Sequence, residues 1–195
     1  MSEVLGYASG ILMALSVIPY ARSILRRETK PQRMTWLIWS ILTFIAFFSQ
    51  LAKGGTWSLL LTAGDTLAIL IVFFLSFKFG VGGFRRIDII SLCGAFVSLF
   101  LWYVTKEPAI ALFLIILTDF FGAHLTIVKS WRDPASENWV GWAICGVGGI
   151  LGTLAVGEFN FILLVFPFYI FLINSSMALI ILLRRRKGEL IFKKQ

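Results

Sequence analysis

The chain has 195 residues, of which 58% are hydrophobic, and it carries a formal net charge of +8. Its mean hydropathy of +0.89 leaves too little polar surface to cover a soluble core of this size, so the composition excludes a soluble globular domain and predicts a polytopic membrane protein. The apolar residues form long unbroken runs, which favours membrane-crossing helices over the alternating strands of a barrel.

Seven apolar runs are long enough to cross a bilayer, because about 20 helical residues span roughly 30 Å of hydrocarbon. The first run is preceded by Ser2 and Glu3 instead of a basic segment, so we expect it to remain as a helix rather than to act as a cleaved signal. The seven predicted helices are Val4–Ala21, Met34–Ala52, Trp57–Phe77, Ile87–Thr105, Pro108–Val128, Trp139–Gly157 and Phe161–Leu183.

The positive charges predict how these helices are oriented. Except for Lys53 and Lys106, every Lys and Arg lies on the side that is reached after predicted helices one, three, five and seven. The positive-inside rule therefore places the N-terminus outside and the C-terminus in the cytoplasm, with the chain in the plasma (inner) membrane. Since the charges are spread over short loops and a tail, we expect contact with anionic membrane lipids and no nucleic-acid binding.

Residues 18–54 and residues 121–157 present the same order of features about 103 positions apart, with Gly54 corresponding to Gly157. Three helices per copy would leave the two copies inverted, so a fourth helix between them restores a parallel arrangement. The predicted fold is therefore all-α, with three plus one plus three membrane helices. Its parts are a first triple-helix bundle (1–79), a linker helix (80–106), a second triple-helix bundle (107–183) and a basic cytoplasmic tail (184–195).

Two tryptophans open the second predicted helix. Trp36 and Trp39 are three residues apart and therefore lie on one face, and Trp139 and Trp142 hold the same places in the second copy. Two interpretations stay open. The rings form an aromatic belt at the cytoplasmic interface, or they wall a central pathway in which a substrate ring could stack.

The third predicted helix contains Asp65, roughly 12 Å inside its outer end. A carboxylate at that depth costs on the order of 3 kcal/mol to insert, so we expect it to face a cavity, a partner or a proton source instead of lipid. The alternative is a protonated Asp65 that is hydrogen-bonded within the bundle.

The fifth predicted helix contains Asp119 near mid-membrane and His124 closer to the cytoplasmic end. Five residues at about 100° each leave the two side chains about 140° apart around the helix axis, so we expect no direct pair between them. Asp119 could serve a midplane site or link adjacent helices. His124 could accept protons in an inner vestibule, or it could be held by a structural hydrogen bond.

Small residues recur four apart in the sixth predicted helix, which favours close packing of helix backbones. They are Gly141, Cys145, Gly148, Gly149 and Gly152. The seventh predicted helix brings Asn174 into the apolar layer, where its amide has four hydrogen-bonding capacities to satisfy and offers a polar contact for a neutral substrate.

Catalytic chemistry is not expected from this sequence. Cys93 and Cys145 have no partner at metal-ligand spacing, the chain has a single histidine, and no nucleophile is flanked by a base. We therefore expect no enzyme, no metal site and no cofactor.

The pattern of Pro19, Tyr20, Ser23 and Ile24 followed by Thr29–Pro31 resembles the PQ-loop / SWEET superfamily, in which a Pro-Gln pair stands at this place. Here Tyr20 takes the place of the glutamine. The chain is also similar in layout to nicotinamide-riboside-type vitamin transporters. The resemblance implies two triple-helix bundles around a midplane substrate site. It also implies hinges at Pro19 and at the corresponding Gly122.

The resemblance and the intramembrane polar groups predict a transporter or facilitator for a small polar organic solute of the sugar, vitamin or amino-acid class. Substrate contacts are expected from Trp36, Trp39, Asp65, Asp119, Trp139, Trp142 and Asn174, and proton-relay candidates are Asp65, Asp119 and His124. A non-transporting receptor or regulatory protein on the same scaffold is the alternative. One chain contains both bundles and could form a pathway alone, and assembly into a homo-oligomer is left open.

Overall fold

The structure is a computed structural model that describes residues 1–29, 31, 33–80, 86–132 and 134–192. Within these residues every regular element is a helix, as the sequence predicts. The helices are α1 (Ser2–Leu25), α2 (Arg33–Ala52), α3 (Leu59–Phe79), α4 (Arg86–Thr105), α5 (Pro108–Arg132), α6 (Trp139–Ala155) and α7 (Phe161–Phe192), with a short 3₁₀ helix at Pro134–Ser136 before α6.

Each predicted helix has a counterpart within a few residues, and the largest difference lies at the end of α7. Residues 184–192 continue this helix, where a separate tail was expected. The first of these residues have partners that hold the helix in place: Arg184 Nε donates to the Trp131 carbonyl at 2.9 Å, and Arg185 Nη2 donates to the Glu137 carbonyl at 2.8 Å. The arginines thus tie α7 to the connection between α5 and α6.

Among the described residues, three helical stretches are long and apolar enough to cross a membrane: Ser2–Leu25, Leu59–Phe79 and Phe161–Arg186. Shorter apolar stretches are Trp36–Ala52, Pro108–Phe120 and Trp139–Ala155. Large apolar side chains also cover the outside of the bundle, where a soluble protein would expose few contiguous apolar groups. Examples are Phe74, Phe100 and Phe113, which are 64%, 64% and 65% exposed.

Neighbouring contacts define the relative direction of the helices. The Ser9 hydroxyl donates to the Gly148 carbonyl at 2.7 Å and the Asn138 amide donates to the Pro19 carbonyl at 3.3 Å, so α1 and α6 run antiparallel. Similar contact pairs show that α3 runs parallel to α1 and that α5 runs parallel to α7. They also show that α2 runs antiparallel to α3 and that α7 runs antiparallel to α6. The start of α1 and the end of α7 therefore lie at opposite ends of the bundle.

Six helices form a closed ring. Within the ring α3 packs against both α1 and α2, and α7 packs against both α5 and α6. The ring closes through contacts of α1 with α6 and of α2 with α5, while α4 lies outside against α5 and α2. The end of the ring where α1 ends and where α2 and α6 begin carries Arg26, Arg33 and Arg185, and we call it the basic end.

Glycines on α6 let its backbone approach both neighbours, as the predicted stripe of small residues implied. A Cβ atom on Gly148 would lie 2.8 Å from the Met13 sulfur on α1, and one on Gly149 would lie 2.5 Å from the Phe171 backbone nitrogen on α7. Two faces of α6, about 100° apart around its axis, therefore carry glycine where a neighbouring helix packs, which is the geometry that close helix packing in membranes uses.

The ends of α2 and α6 share a backbone feature. Gly54 and Gly157, which follow these helices, both adopt positive φ, at 80° and 76°. After α2 the Gly55 amide donates to the Gln50 carbonyl at 3.0 Å and the Gly54 amide to the Leu51 carbonyl at 3.1 Å, which is the pair of bonds that closes a helix through a left-handed glycine.

The glycine contacts on α6 generate a prediction with a matched control. Gly149→Ala places its Cβ against the Phe171 backbone, and overpacking of this kind costs about 1–3 kcal/mol. In Gly141→Ala the new Cβ meets only the Ser16 carbonyl, at 3.4 Å. Both variants gain up to about 1 kcal/mol from the higher helix propensity of alanine.

Thermal unfolding of the detergent-solubilised variants should therefore show Gly149→Ala unfolding at a lower temperature than Gly141→Ala. Equal unfolding temperatures for the two variants would contradict the packing described here.

Candidate functional site

A cavity of about 120 Å³ lies inside the ring, and all helices except α4 contribute to its wall. The cavity has room for several water molecules or for a chemical group of similar size. Most of the wall is apolar, and its polar side chains include Asp65 from α3, Asp119 from α5 and Asn174 from α7. Three residues that the sequence analysis selected from three separate helices thus meet in one space.

Asp65 is buried, with 8% of its surface exposed, and lines the cavity. Its carboxyl group makes no hydrogen bond or ion pair with the described residues. Asp119 of α5 and Cys145 of α6 line the same cavity. The prediction that Asp65 avoids lipid and faces an internal space agrees with this position.

Asp119 has a partner on a neighbouring helix. The Tyr169 hydroxyl of α7 donates to Asp119 Oδ2, across 50 positions of sequence. A hydrogen bond to an ionised group is stronger than a hydrogen bond between two neutral groups. Asp119 therefore lines the cavity and also links α5 to α7, and its role in a midplane site stays a prediction.

Asn174 is buried, and its Nδ2 donates to the Ile170 carbonyl at 2.8 Å. This bond is local to α7 and uses one amide hydrogen. Within the described residues the amide makes no other hydrogen bond, and Asn174 lines the cavity.

Aromatic rings cover much of the wall near the basic end. Trp36 packs edge-on against Trp39 with ring centroids 5.1 Å apart, and Tyr20 packs against Trp36 at 5.3 Å. These three side chains and Trp142 line the cavity. Trp139 does not, and it stands half-buried at the start of α6. The tryptophans that correspond in the sequence are thus not equivalent in position.

Buried apolar side chains from α1, α2, α3, α5 and α7 pack into one cluster, which we call the apolar plug. Most of its members lie in the half of the ring away from the basic end, and they include Met13, Ile45, Leu61, Leu112 and Phe166. Several of its side chains, Phe166 among them, also form part of the cavity wall.

Polar contacts join α1 to the start of α6 at the basic end. Asn138 caps α6 by accepting from the Val140 amide at 3.0 Å, and its own amide reaches the Pro19 carbonyl. Beside it, the Trp142 indole donates to Glu137 Oε2 at 3.3 Å, and Glu137 is only 5% exposed. The side chain of a cavity tryptophan is thereby anchored to a buried acidic residue.

Two predicted site residues lie in a part of α5 where the structure describes only the helical backbone. They are His124, a candidate proton acceptor, and Gly122, a candidate hinge. Both stay predictions. Pro19, the other proposed hinge, lies inside α1 in an unbroken helix.

Three residues of this region were not predicted as site residues from the sequence. Tyr20 and Cys145 line the cavity, and Glu137 lies behind Trp142. Cys145 could have been found, because it stands three residues after Trp142 and therefore on the same face of α6. Glu137 lies in a connection between helices, where no periodicity marks which side chain is buried.

A larger groove of about 760 Å³ opens between α2, α4 and α5 at the other end of the molecule. Its wall contains Lys53 and Lys106 beside Phe96, Phe100 and Tyr103. Lys106 lies 4.1 Å from the Tyr103 ring centroid, and Lys53 forms an ion pair with Glu107 at 3.6 Å. These bases are already partnered, and the groove contains none of the predicted site residues.

Comparison of the chain with protein-family models, with curated proteins and with solved structures finds no match in any of the three. The resemblance to the PQ-loop / SWEET superfamily therefore stays an expectation from the sequence.

Tyr169→Phe tests the link between α5 and α7. Removing the hydroxyl leaves a buried Asp119 oxygen without its donor, which should lower the free energy of unfolding by about 1–3 kcal/mol. Tyr7→Phe makes the same chemical change at a residue that is 49% exposed, so its unfolding temperature should match that of the wild type. Equal shifts in the two variants, measured by thermal unfolding in detergent, would show that the hydroxyl has no structural role.

Proposed function

We propose that the protein is a membrane transporter or facilitator that moves a small polar organic solute, of the sugar, vitamin or amino-acid class, by alternating access. The observation that carries this proposal is the internal cavity, whose wall combines Asp65, Asp119 and Asn174 with aromatic rings. Polar groups of this kind are expensive inside a membrane bundle and typically mark solute or ion pathways.

A fold of two similar three-helix units agrees with the packing. In each predicted unit the third helix packs against the first and the second, since α3 contacts α1 and α2, and α7 contacts α5 and α6. The contacts between the units also correspond. When each helix is replaced by its counterpart in the other unit, the contact of α1 with α6 becomes that of α5 with α2, and both contacts are present. This supports the proposal of parallel repeats with a substrate site between them.

All seven helices are proposed to cross the inner membrane, with the N-terminus outside. The alternating directions of the six ring helices support this topology. The arginines at the basic end support the orientation, because that end would face the cytoplasm under the positive-inside rule.

The described arrangement corresponds to one state of an alternating-access cycle. The apolar plug is proposed to act as the barrier toward the outer end, so a solute released outward must wait until the plug opens. The two units contact each other through α1 and α6, where Ser9, Gly148 and Gly152 form a face of small residues. Rocking of one unit on the other along this face would close the basic end and open the plug.

Uptake into proteoliposomes tests the proposal. We expect purified protein to accumulate at least one solute from a panel of sugars, vitamins and amino acids. Asp65→Asn should lower that uptake at least about tenfold, because one lost interaction with a charged group is worth about 1.5–3 kcal/mol. The matched control is Glu158→Gln, which removes a carboxylate from an exposed connection and should leave uptake unchanged.

Absence of both uptake and binding across the panel would contradict the proposal. Binding without uptake would instead identify a non-transporting receptor on this scaffold.

A further inference from the structure

We propose that the solute recognised in this cavity is an organic cation and that Asp65 is its ionic partner. This inference rests on the proposed function, because it names the substrate class of the same site. The structure brings together a buried unpaired carboxyl group, a second carboxyl group close to it, and a wall of aromatic rings.

The charges of the cavity wall are of one sign. Among the described residues that line it, Asp65 and Asp119 are the acidic side chains, and none is Lys, Arg or His. An anionic solute would therefore meet repulsion from both carboxyl groups without a compensating base. A cation would meet attraction that is strong, because the surrounding protein and lipid screen charge weakly.

The two carboxyl groups differ in the hydrogen-bond partners that the protein gives them. Asp119 accepts a hydrogen bond from Tyr169. Asp65 is 8% exposed and has no hydrogen-bond or ionic partner in the described part of the chain. A buried carboxylate without a partner is costly, so the position calls for a counter-charge that arrives from the cavity.

The aromatic wall fits the same ligand. Tyr20, Trp36, Trp39 and Trp142 line the space next to the carboxyl groups. The face of an aromatic ring attracts cations, most strongly for tryptophan, and a carboxylate beside several such rings is a recurrent way to bind an alkylated or primary ammonium group. A neutral sugar would gain nothing from the excess of negative charge.

The chain contains its own reporter for the test. Cys145 lies in the cavity wall near Asp65, and Cys93 is exposed on α4. In a Cys93→Ser background, the only remaining thiol can be modified with two methanethiosulfonates of similar size, one bearing a trimethylammonium group and one bearing a sulfonate. Each rate is divided by the rate of the same reagent with a free thiol in solution, which removes intrinsic reactivity.

The cationic reagent should modify Cys145 at least about tenfold faster than the anionic one after this correction, because the local field favours positive charge. Asp65→Asn should remove most of that preference, while Glu158→Gln should preserve it. Thermal unfolding of each variant shows whether it is folded, and if Asp65→Asn does not fold, the wild-type ratio and the Asp119→Asn ratio decide the question.

Equal corrected rates would overturn the inference, since they would mean that the carboxyl groups hold protons instead of attracting cations. Failure of both reagents to modify Cys145 would also overturn it, because the cavity would then be closed to organic cations. These outcomes are separate from the uptake assay. Uptake of a neutral solute with equal rates leaves the transporter in place, and a cation preference without uptake leaves only the binding site.

Discussion

The interaction on which this structure depends is the placement of two carboxyl groups inside an apolar bundle. Moving an ionised group from water to a medium of low dielectric costs several kcal/mol of solvation free energy, unless hydrogen bonds or opposite charges replace the water. Asp119 has the Tyr169 hydroxyl in that role. Asp65 has only the cavity, and the six ring helices, which could otherwise close on one another, leave a gap at its level.

Packing around that gap is asymmetric along the bundle axis. Large apolar side chains fill the ring on one side of the carboxyl groups, and aromatic rings with polar anchors stand on the other. Hydrogen bonds join α1 to α6 on both sides of the gap, from Ser9 to the Gly148 carbonyl on the apolar side and from Asn138 to the Pro19 carbonyl at the basic end. The two sides therefore differ in the side chains that line them, and the same pair of helices is tied together on each.

The α6 helix connects two parts of the ring. Its glycines bring its backbone close to α1 on one face and to α7 on another. A face of small residues makes few interlocking side-chain contacts, and it can hold two helices together in more than one relative position.

Several features could be predicted from the sequence because they depend on local composition and on one-dimensional spacing. The lengths of the apolar runs located the helices, since a helix of about 20 residues is what a bilayer requires. The insertion penalty of a carboxylate predicted that Asp65 would face an internal space, and the spacing of small residues predicted the packing face of α6. These inferences need no knowledge of which helix is next to which.

Only the tertiary structure decided how the helices combine their side chains. Nothing in the sequence relates Tyr169 to Asp119, since 50 residues separate them and their meeting depends on how α5 and α7 are rotated against each other. The same rotation brings Trp142 to the cavity while Trp139 stays outside it, although both tryptophans open the same helix. Composition and spacing thus determined that this protein is helical and apolar and that it contains carboxyl groups within its helices. The rotation of each helix about its own axis, which is set by packing against its neighbours, determined which of those groups share one space.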